Sequence, residues 1–201
     1  PGSVVATIEG DAHVGRAAAR TALDLLMLLA GIATEARRWQ RAAGERLAVT
    51  DTRKTLPGMR ALSKYAVAMG GAHNHRAGLF DMVLVKDNHI AQAGSVEEAI
   101  RAAREMAPGL LLECEADSVE QAVAAALAGA DYVLLDNMDD ATIACAVEAV
   151  REAAAGRPCL TEASGRITFD RLGALVATGV DRVSTSALTL ARPLDFGLDV
   201  S

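Results

Sequence analysis

From residue 47 onward, short apolar runs of strand character alternate with longer stretches of helical periodicity, and this alternation constrains the fold more than any other feature. The predicted strands are residues 47–50, 82–85, 110–115, 132–135, 159–161 and 182–184, and the predicted helices are residues 57–69, 95–106, 118–128, 140–154 and 169–177. Strands separated by helices of about ten to fifteen residues pair in parallel through right-handed crossovers. The sequence therefore predicts an α/β fold, and the repeated unit suggests a barrel.

The segment before this repeat has a different pattern. Residues 4–9 alternate as a short strand would, and residues 13–43 carry apolar side chains at helical spacing, interrupted only by Gly31. Inside the repeat, Pro57 suits the first position of a helix, and Ser95 with Glu98 forms the pattern of a capping box. We therefore expect one or two helices outside the barrel.

The amino-acid composition disfavours nucleic-acid-binding and membrane proteins. The 201 residues are 51% hydrophobic but only 3% aromatic, and the formal net charge is −6. Without aromatic stacking platforms or Lys/Arg runs, nucleic-acid binding is disfavoured. The apolar stretch at residues 22–33 is shorter than the ~20 residues that cross a bilayer. We expect a soluble, cytoplasmic protein with no membrane partner and no targeting peptide, whose three isolated cysteines are buried, reduced thiols.

Every predicted strand ends in polar or charged residues. The strand ends carry Asp51, Arg53, Lys86, Glu113, Glu115, Asp136, Glu162, Ser164 and residues 184–186. Catalytic groups of parallel barrels lie at these C-terminal ends, so the pattern predicts an enzyme or a small-ligand site. Ser164, Gly165 and residues 184–186 also offer hydroxyls and backbone amides suited to a phosphate.

Cations are concentrated in one window of this acidic chain. Residues 50–90 hold Arg53, Lys54, His73, His75, Arg76, Lys86 and His89. Such a concentration makes a local anion site, so we expect a ligand with carboxylates or phosphates. The adjacent Arg53 and Lys54 could hold two separate anionic groups, although an exposed basic pair is the alternative.

Other roles stay open for several of these cations. His73 and His75 could bind a metal, but no third ligand is nearby in the sequence. Lys86 could be a Schiff-base nucleophile, a permanent cation for a ligand oxygen, or a surface partner of Asp87. His89 is expected to be a structural, hydrogen-bonding histidine.

The acidic residues have two possible roles. Glu113 and Glu115 lie two apart on a strand and share one face, and Asp136 on the next strand can lie beside them. Carboxylates beside phosphates can hold Mg²⁺ or balance positive charge on a sugar carbon. Alternatively, they form salt bridges with Arg53 or Lys86 inside the barrel.

The run DTRKTLPGMRALSKYAVAMGGAHNHRAGLFDMVLVKDNHI closely resembles the core motif of the quinolinate phosphoribosyltransferases. The likeness extends through RTALDLLMLLAGIAT before it and through LLECEADSVEQ, GADYVLLDNM, TEASGRI and ALTLARPLDFGLDV after it, and so covers nearly the whole chain. The resemblance implies a type II phosphoribosyltransferase fold, an open α/β barrel with an additional α/β domain. It also implies a dimer in which each active site receives an arginine from the other subunit.

The reaction that the resemblance implies is a step of NAD biosynthesis. Phosphoribose is transferred from phosphoribosyl pyrophosphate to quinolinate, with Mg²⁺, giving nicotinate mononucleotide, CO₂ and pyrophosphate. The quinolinate would be bound by Arg53, Lys54, His75, Arg76, Lys86 and, from the other subunit, Arg20. The catalytic groups would be Lys54, Lys86, Glu115 and Asp136, and the last two would face the ribose hydroxyls and the metal. The 5′-phosphate would be bound by Ser164, Gly165, Thr185, Ser186 and Ala187.

Four positions depart from the family pattern. Ala19 stands where the family usually has Glu, Asp24 where it has Asn, and Arg166 and Ser186 where it has Gly. Glycine lets the backbone approach a phosphate closely, whereas Arg166 could instead contribute positive charge.

The resemblance also implies a domain organisation. The chain begins inside the family's sequence, so we expect it to be incomplete at the N-terminus. Residues 1–45 would be a remnant of the N-terminal domain with linking helices, residues 46–190 the barrel, and residues 191–201 a segment that returns to the N-terminal domain.

Three other functions remain open. The chain could be a divergent relative, such as the paralogue associated with molybdenum transport, although Lys86-Asp87-Asn88-His89 matches the quinolinate enzymes better. It could also be a non-catalytic barrel that binds a ligand or serves a structural role. Without the resemblance, a Schiff-base aldolase that uses Lys86 would be the third.

Overall fold

A computed structural model describes residues 2–199 and contains six strands and seven α-helices within them. The strands are β1 (Ala48–Thr50), β2 (Val83–Val85), β3 (Leu112–Ala116), β4 (Tyr132–Asp136), β5 (Leu160–Ser164) and β6 (Arg182–Ser184). The helices are α1 (Ala12–Ala43), α2 (Arg60–Met69), α3 (Asp87–Ala93), α4 (Val96–Met106), α5 (Val119–Leu127), α6 (Asp140–Ala154) and α7 (Leu172–Thr178), the last preceded by a 3-10 turn at Phe169–Arg171. The predicted α/β fold is confirmed.

The strands form one parallel sheet in the order β1-β6-β5-β4-β3-β2. Arg182 on β6 contacts Glu113 on β3 at 2.8 Å, although β5 and β4 lie between them in the sheet. In a flat sheet these strands would be about 14 Å apart, so the sheet must curl round. An isolated parallel bridge between Thr50 and His73 extends it beyond β1. The result is the open barrel that the sequence predicts.

The register of the strands divides the sheet into two faces of different character. The outer face carries small apolar residues, such as Val49, Cys114 and Val133, which are fully buried under the helices. The inner face carries mostly polar and charged residues, which in strand order are Thr50, Glu113, Glu115, Tyr132, Asp136, Glu162, Ser164, Arg182 and Ser184. Ala48, Leu84, Leu134 and Leu160 share this face. Parallel barrels usually fill their interior with branched apolar side chains. This interior is therefore built for chemistry as well as for stability.

Alanine-rich helices cover the outer face. α5 contributes the fully buried Ala122, Ala125 and Ala126, and α6 contributes Ala146 and Val147. Such small side chains let the helix axes approach one another and the sheet closely, because little volume separates the backbones. The aromatic-poor composition is thus accounted for by close helix packing.

Three local expectations are corrected. Residues 4–9 form no strand, since no neighbouring strand pairs with them. α2 begins at Arg60 and not at Pro57, because Gly58 adopts a left-handed φ of 76° that a helix cannot contain. Helix α3 at Asp87–Ala93 was not predicted.

Two further expectations are only half right. The Ser95 hydroxyl caps α4 by accepting the Glu98 amide at 3.2 Å, but the Glu98 side chain pairs with Arg101 and does not return to Ser95. Of the cysteines, Cys114 and Cys159 are buried free thiols, whereas Cys145 is exposed.

Helix α1 is continuous over 32 residues and is capped by the Asp11 carboxylate, which accepts the His13 and Val14 amides. Its C-terminal half enters the core through residues such as Ile32 and Trp39, while its N-terminal half is largely exposed. Among the described residues it is the one helix whose length and apolarity would suffice to cross a membrane, with an 18-residue window of mean hydropathy 1.5. Only 11% of that window is buried, and the residues of this helix that enter the core lie towards its C-terminal end.

The C-terminal segment runs back along α1. The Leu194 amide donates to the Met27 carbonyl at 3.0 Å. Gly31 is required at this crossing, because a Cβ there would overlap the Arg192 carbonyl. The segment after the barrel is therefore anchored on the helix that precedes it.

Candidate functional site

The loop after β1 presents Arg53 to the C-terminal end of the barrel. Its Nη1 is buried and has no hydrogen-bond partner among residues 2–199. Its carbonyl accepts a hydrogen bond from Arg60 Nη2 at 3.1 Å, and Arg60 Nη1 reaches the Ala77 carbonyl at 3.5 Å. Arg60 therefore ties the loop that carries Arg53 to the loop that carries Arg76.

The positive charges of Arg53 and Arg76 influence each other. Burial lowers the pKa of Arg76, and the positive charge of Arg53 lowers it further, whereas the charges of Glu113 and Asp81 raise it. Two cations held together, one of them with a buried nitrogen that lacks a protein partner, cost free energy unless an anion joins them. The arrangement is that of an anion site.

Lys86 and Glu115 meet at the ends of neighbouring strands. The Lys86 ammonium forms an ion pair with the Glu115 carboxylate. Lys86 remains 43% exposed and Glu115 17% exposed, so both can still reach a ligand. His89 Nδ1 accepts the Lys86 backbone amide at 3.0 Å and so fixes the start of α3. This ion pair shows Lys86 acting as a cation that binds a carboxylate oxygen, which is the second of its three predicted roles.

Asp136 ends β4 opposite Ser164 of β5. Asn137 Nδ2 donates to the Asp136 carboxylate at 2.7 Å, and the Asn137 amide donates to the Ser164 carbonyl at 2.9 Å. Gly165 has a φ of 82°, and a Cβ there would overlap the Asn137 side chain. Gly165 is therefore needed for the approach of Asn137. The half-buried Glu115 and Asp136 offer hard oxygen donors on one inner face, a set that fits Mg²⁺.

The turn after β6 has part of its hydrogen bonding satisfied internally. The Thr185 amide donates to the Thr50 carbonyl at 3.1 Å, and the Ala187 amide donates to Thr185 Oγ1 at 3.2 Å. Ser186 does not adopt a left-handed φ, so serine is tolerated there without backbone strain, whereas Arg166 has a φ of 51°. Thr189 Oγ1 donates to the Lys54 carbonyl at 2.7 Å and joins this turn to the Arg53 loop.

Beneath the strand ends lies a buried charged cluster of His75, Glu113, Glu162 and Arg182. His75 Nε2 is 2.9 Å from Glu113 Oε2 and 3.5 Å from Glu162 Oε1. Arg182 contacts both carboxylates and stacks over the Tyr132 ring at 3.7 Å. Both glutamates are fully buried and the His75 ring is only 8% exposed. The alternative of salt bridges with Arg53 or Lys86 therefore holds for Glu115, which pairs with Lys86, whereas Glu113 contacts His75 and Arg182.

The charge state of His75 follows from these neighbours. Burial opposes protonation of the ring, but its hydrogen bonds to Glu113 and Glu162 outweigh burial and raise its pKa to about 9. Nδ1 accepts the Arg76 amide at 2.8 Å, a contact that a ring protonated at Nδ1 would lose. His75, Glu113 and Glu162 also lie close enough to share a metal ion. Arg182 already occupies both carboxylates, which makes a cation there unfavourable.

A second buried ion pair supports the His75 segment. Lys64 of α2 lies 2.5 Å from the buried Asp51 carboxylate, and it also donates to the His75 carbonyl at 2.7 Å. The Asp51 carboxylate accepts the His75 amide at 2.9 Å as well. Burial raises the pKa of Asp51, although these partners lower it in part.

Arg20 lies apart from the strand ends within the single chain. It sits on the exposed part of α1, where its guanidinium pairs with Asp24 at 3.3 Å. A role for Arg20 in a site therefore depends on a second subunit.

Sequence reasoning missed four residues that shape this site. Lys64, Arg60, Arg182 and Thr189 each connect two of the segments that carry predicted site residues. For Arg182 a signal existed, because it lies two residues before Ser184 on a strand and must share that residue's inner face. For the other three no local pattern distinguishes them from ordinary helix or turn residues.

Comparison with known proteins places this geometry in a family. Residues 32–199 match the family described as quinolinate phosphoribosyl transferase, C-terminal domain. Two curated relatives are each named probable nicotinate-nucleotide pyrophosphorylase [carboxylating]. The one from Synechocystis sp. is 42% identical over 98% of this chain and 68% of its own length, and the one from Bacillus subtilis is 42% identical over 100% and 68%.

Solved structures of similar fold carry names from the same family. NadC from Streptococcus pyogenes superposes with a TM-score of 0.88 at 39% identity, covering 95% of this chain and 66% of that one. The nicotinate-nucleotide pyrophosphorylase from Francisella tularensis superposes with a TM-score of 0.86 at 34% identity, covering 92% and 65%. The chain thus spans about two thirds of the length of the relatives it matches. From its sequence and its fold, the chain belongs to the quinolinate phosphoribosyltransferase family.

Proposed function

We propose that this chain transfers phosphoribose from phosphoribosyl pyrophosphate to quinolinate with decarboxylation, giving nicotinate mononucleotide, CO₂ and pyrophosphate. Family membership supports the reaction class. The observation that carries the proposal is the buried Arg53 Nη1, which lacks a partner among the described residues and whose positive charge acts on Arg76. A site that holds two cations together in this way is prepared for a dianionic ligand.

The quinolinate carboxylates supply that dianion. Arg53 and Arg76 offer planar forks, each able to bind a carboxylate through two parallel hydrogen bonds. Lys86, at the end of β2, adds a compact charge that can exchange its present partner Glu115 for a ligand oxygen. Lys54 is exposed on the same loop, and its positive charge would suit the pyrophosphate.

The acidic and hydroxyl residues suit the phosphoribosyl group. Glu115 and Asp136 face the ribose and would hold Mg²⁺, which when bound neutralises charge on the pyrophosphate. An oxocarbenium-like transition state carries positive charge on the sugar carbon, and carboxylates near it are stabilising. The 5′-phosphate lies against Ser164, Gly165 and the turn of Thr185, Ser186 and Ala187. Arg166 adds positive charge at the rim.

Decarboxylation follows from the chemistry of the product ring. Phosphoribosylation makes the ring nitrogen cationic, so it can stabilise the electron pair that remains on the adjacent carbon when its bond to CO₂ breaks. A proton then replaces the carboxylate at that carbon. Arg53 and Arg76 would hold the second carboxylate and keep the ring in place during this exchange.

We further propose that the chain acts as a cytoplasmic dimer. The N-terminal part of α1 is an exposed helix with an apolar composition, and Val14, Leu25 and Leu26 are each more than a third exposed. Burying these side chains against a second copy would be favourable by the hydrophobic effect. In such a dimer Arg20 of one subunit would complete the quinolinate site of the other.

The decisive experiment follows product formation. The full chain is incubated with quinolinate, phosphoribosyl pyrophosphate and Mg²⁺, and nicotinate mononucleotide is measured by chromatography. We expect product with the unmodified chain and far less with Arg53→Ala. If a folded chain makes no product and a carbonyl substrate becomes trapped on Lys86 by borohydride, the Schiff-base reading replaces this one. If neither occurs, the chain is a non-catalytic member of its family.

A further inference from the structure

The charged cluster under the strand ends is not explained by stability. Glu113 and Glu162 are fully buried, and burying carboxylates costs several kcal/mol each before their partners compensate. Branched apolar residues usually fill this layer of a parallel barrel, and they would hold the sheet together at lower cost. Because stability does not require this charged cluster, we looked to the anion site above it for the role of the cluster.

The cluster is connected to the anion site through a single residue, His75. Its Nε2 faces Glu113 and Glu162, and its Nδ1 accepts the Arg76 amide at 2.8 Å. The ring cannot rotate without breaking contacts on both sides. The His75 backbone is held as well, because its amide donates to Asp51 and its carbonyl accepts from Lys64.

We propose that Glu113, Glu162 and Arg182 form a positioning cluster that fixes the His75 ring, and that His75 in turn fixes the backbone that presents Arg76 to quinolinate. His75 then acts as a positioning residue for Arg76. This inference rests on the proposed function, because it needs quinolinate as the ligand of Arg76.

The charges of the cluster support the connection. Arg182 contacts both carboxylates, and the pKa of Glu162 is lowered by His75 and Arg182 despite its burial. An ionised Glu162 attracts the Nε2 side of the His75 ring.

The test compares two cluster variants with a matched control. Glu113→Gln and Glu162→Gln each keep the side-chain shape and remove one charge, so one can serve if the other fails to fold. Asp131→Asn removes a carboxylate that lies just before β4, where it pairs with Arg104 at 2.7 Å and accepts the Leu112 amide without contacting the cluster. Quinolinate binding is measured by calorimetry, and the His75 ring is titrated by NMR in the full chain without ligand.

We expect both cluster variants to weaken quinolinate binding about tenfold, as the misplacement of one charge-assisted hydrogen bond would. They should also lower the pKa of His75, while the affinity for phosphoribosyl pyrophosphate stays as it was. Asp131→Asn should change neither quinolinate binding nor the His75 titration. A cluster that served only stability would leave the quinolinate affinity of the folded variants unchanged.

A double-mutant cycle decides whether the cluster acts through His75. If it does, Glu162→Gln should weaken quinolinate binding little further once His75→Gln is present, since the connection is already broken. Additive losses would overturn the inference, and so would normal quinolinate affinity in both glutamine variants. If the unmodified chain bound no quinolinate at all, the proposed function would fail first and this role with it. The two failures are therefore distinguishable.

Discussion

The guanidinium of Arg182 on β6 lies 2.8 Å from the carboxylate of Glu113 on β3, across the inside of the barrel. The same guanidinium contacts Glu162 on β5, so one cation compensates two fully buried acids. Because the two acids come from different strands, the contact also links non-adjacent parts of the sheet. Arg182 is therefore a structural centre of the barrel interior.

Replacing Arg182 by methionine should destabilise the protein strongly. The variant leaves two buried carboxylates with only His75 to compensate them, and breaking a buried pair in this way costs about 3–5 kcal/mol. Urea unfolding followed by circular dichroism measures the change. Arg101→Met is the control, since its pair with Glu98 is exposed and its loss should barely alter the unfolding midpoint. Equal midpoints for the two variants would contradict the assigned role.

Replacing Arg53 should weaken ligand binding without lowering stability, in contrast to the replacement of Arg182, because we propose that Arg53 binds the ligand. Arg53→Ala should weaken quinolinate binding about 10- to 100-fold, as expected for loss of a charged hydrogen bond of ~1.5–3 kcal/mol. Its free energy of unfolding should not fall, because the buried Nη1 has no partner to lose among the described residues. Arg41→Ala, in the last turn of α1, is the control for loss of an arginine. Quinolinate affinity equal to that of the unmodified chain would remove Arg53 from the site.

The stability of the protein should depend on pH through His75. Its pKa is raised from 6.5 to about 9 in the folded protein, so the stabilisation it provides is complete below pH 6.5 and is lost as the pH rises through about 9. Urea unfolding across this pH range should show a decline in the free energy of unfolding. His75→Gln has no such titration and should show a smaller decline. Parallel curves for the two proteins would show that His75 is not held by the carboxylates.

Much of this architecture can be predicted from the sequence because it depends on local patterns. The alternation of apolar runs and helical stretches gives the parallel sheet, and parallel strands bring their C-terminal ends to one edge. Arg53, Lys86 and Asp136 were therefore predictable as strand-end residues. The pairing of Lys86 with Glu115 follows from the same reasoning, since their strands are neighbours.

The remaining features depend on tertiary structure. The contact of Arg182 with Glu113 requires the curvature of the whole sheet, which no window of sequence contains. Helix α3 is short and carries no buried side chain, so it lacks the apolar periodicity by which helices are recognised. Residues 4–9 alternate as a strand does, but a strand also needs a neighbour, and sequence alternation cannot supply one.

Arg166 provides a test of backbone strain at the predicted phosphate site. It holds a φ of 51°, a left-handed conformation that costs a residue with a side chain about 1 kcal/mol relative to glycine. Arg166→Gly and Arg166→Ala both remove the charge, but only glycine relieves the strain. We expect Arg166→Gly to be more stable than Arg166→Ala by about 0.5–1 kcal/mol in urea unfolding, because the greater freedom of glycine in the unfolded chain offsets part of the gain.

The same two variants separate strain from charge in binding. If Arg166 supplies charge to the 5′-phosphate, both should weaken the binding of phosphoribosyl pyrophosphate to a similar extent, and the loss should shrink at high salt because exposed charges are screened. If instead the family's glycine is needed for close backbone approach, Arg166→Gly should bind more tightly than Arg166→Ala. Calorimetric titrations at two salt concentrations distinguish the two outcomes. If the glycine variant binds phosphoribosyl pyrophosphate more tightly at both salt concentrations, then arginine in place of the family's glycine at position 166 weakens phosphate binding and does not contribute to it.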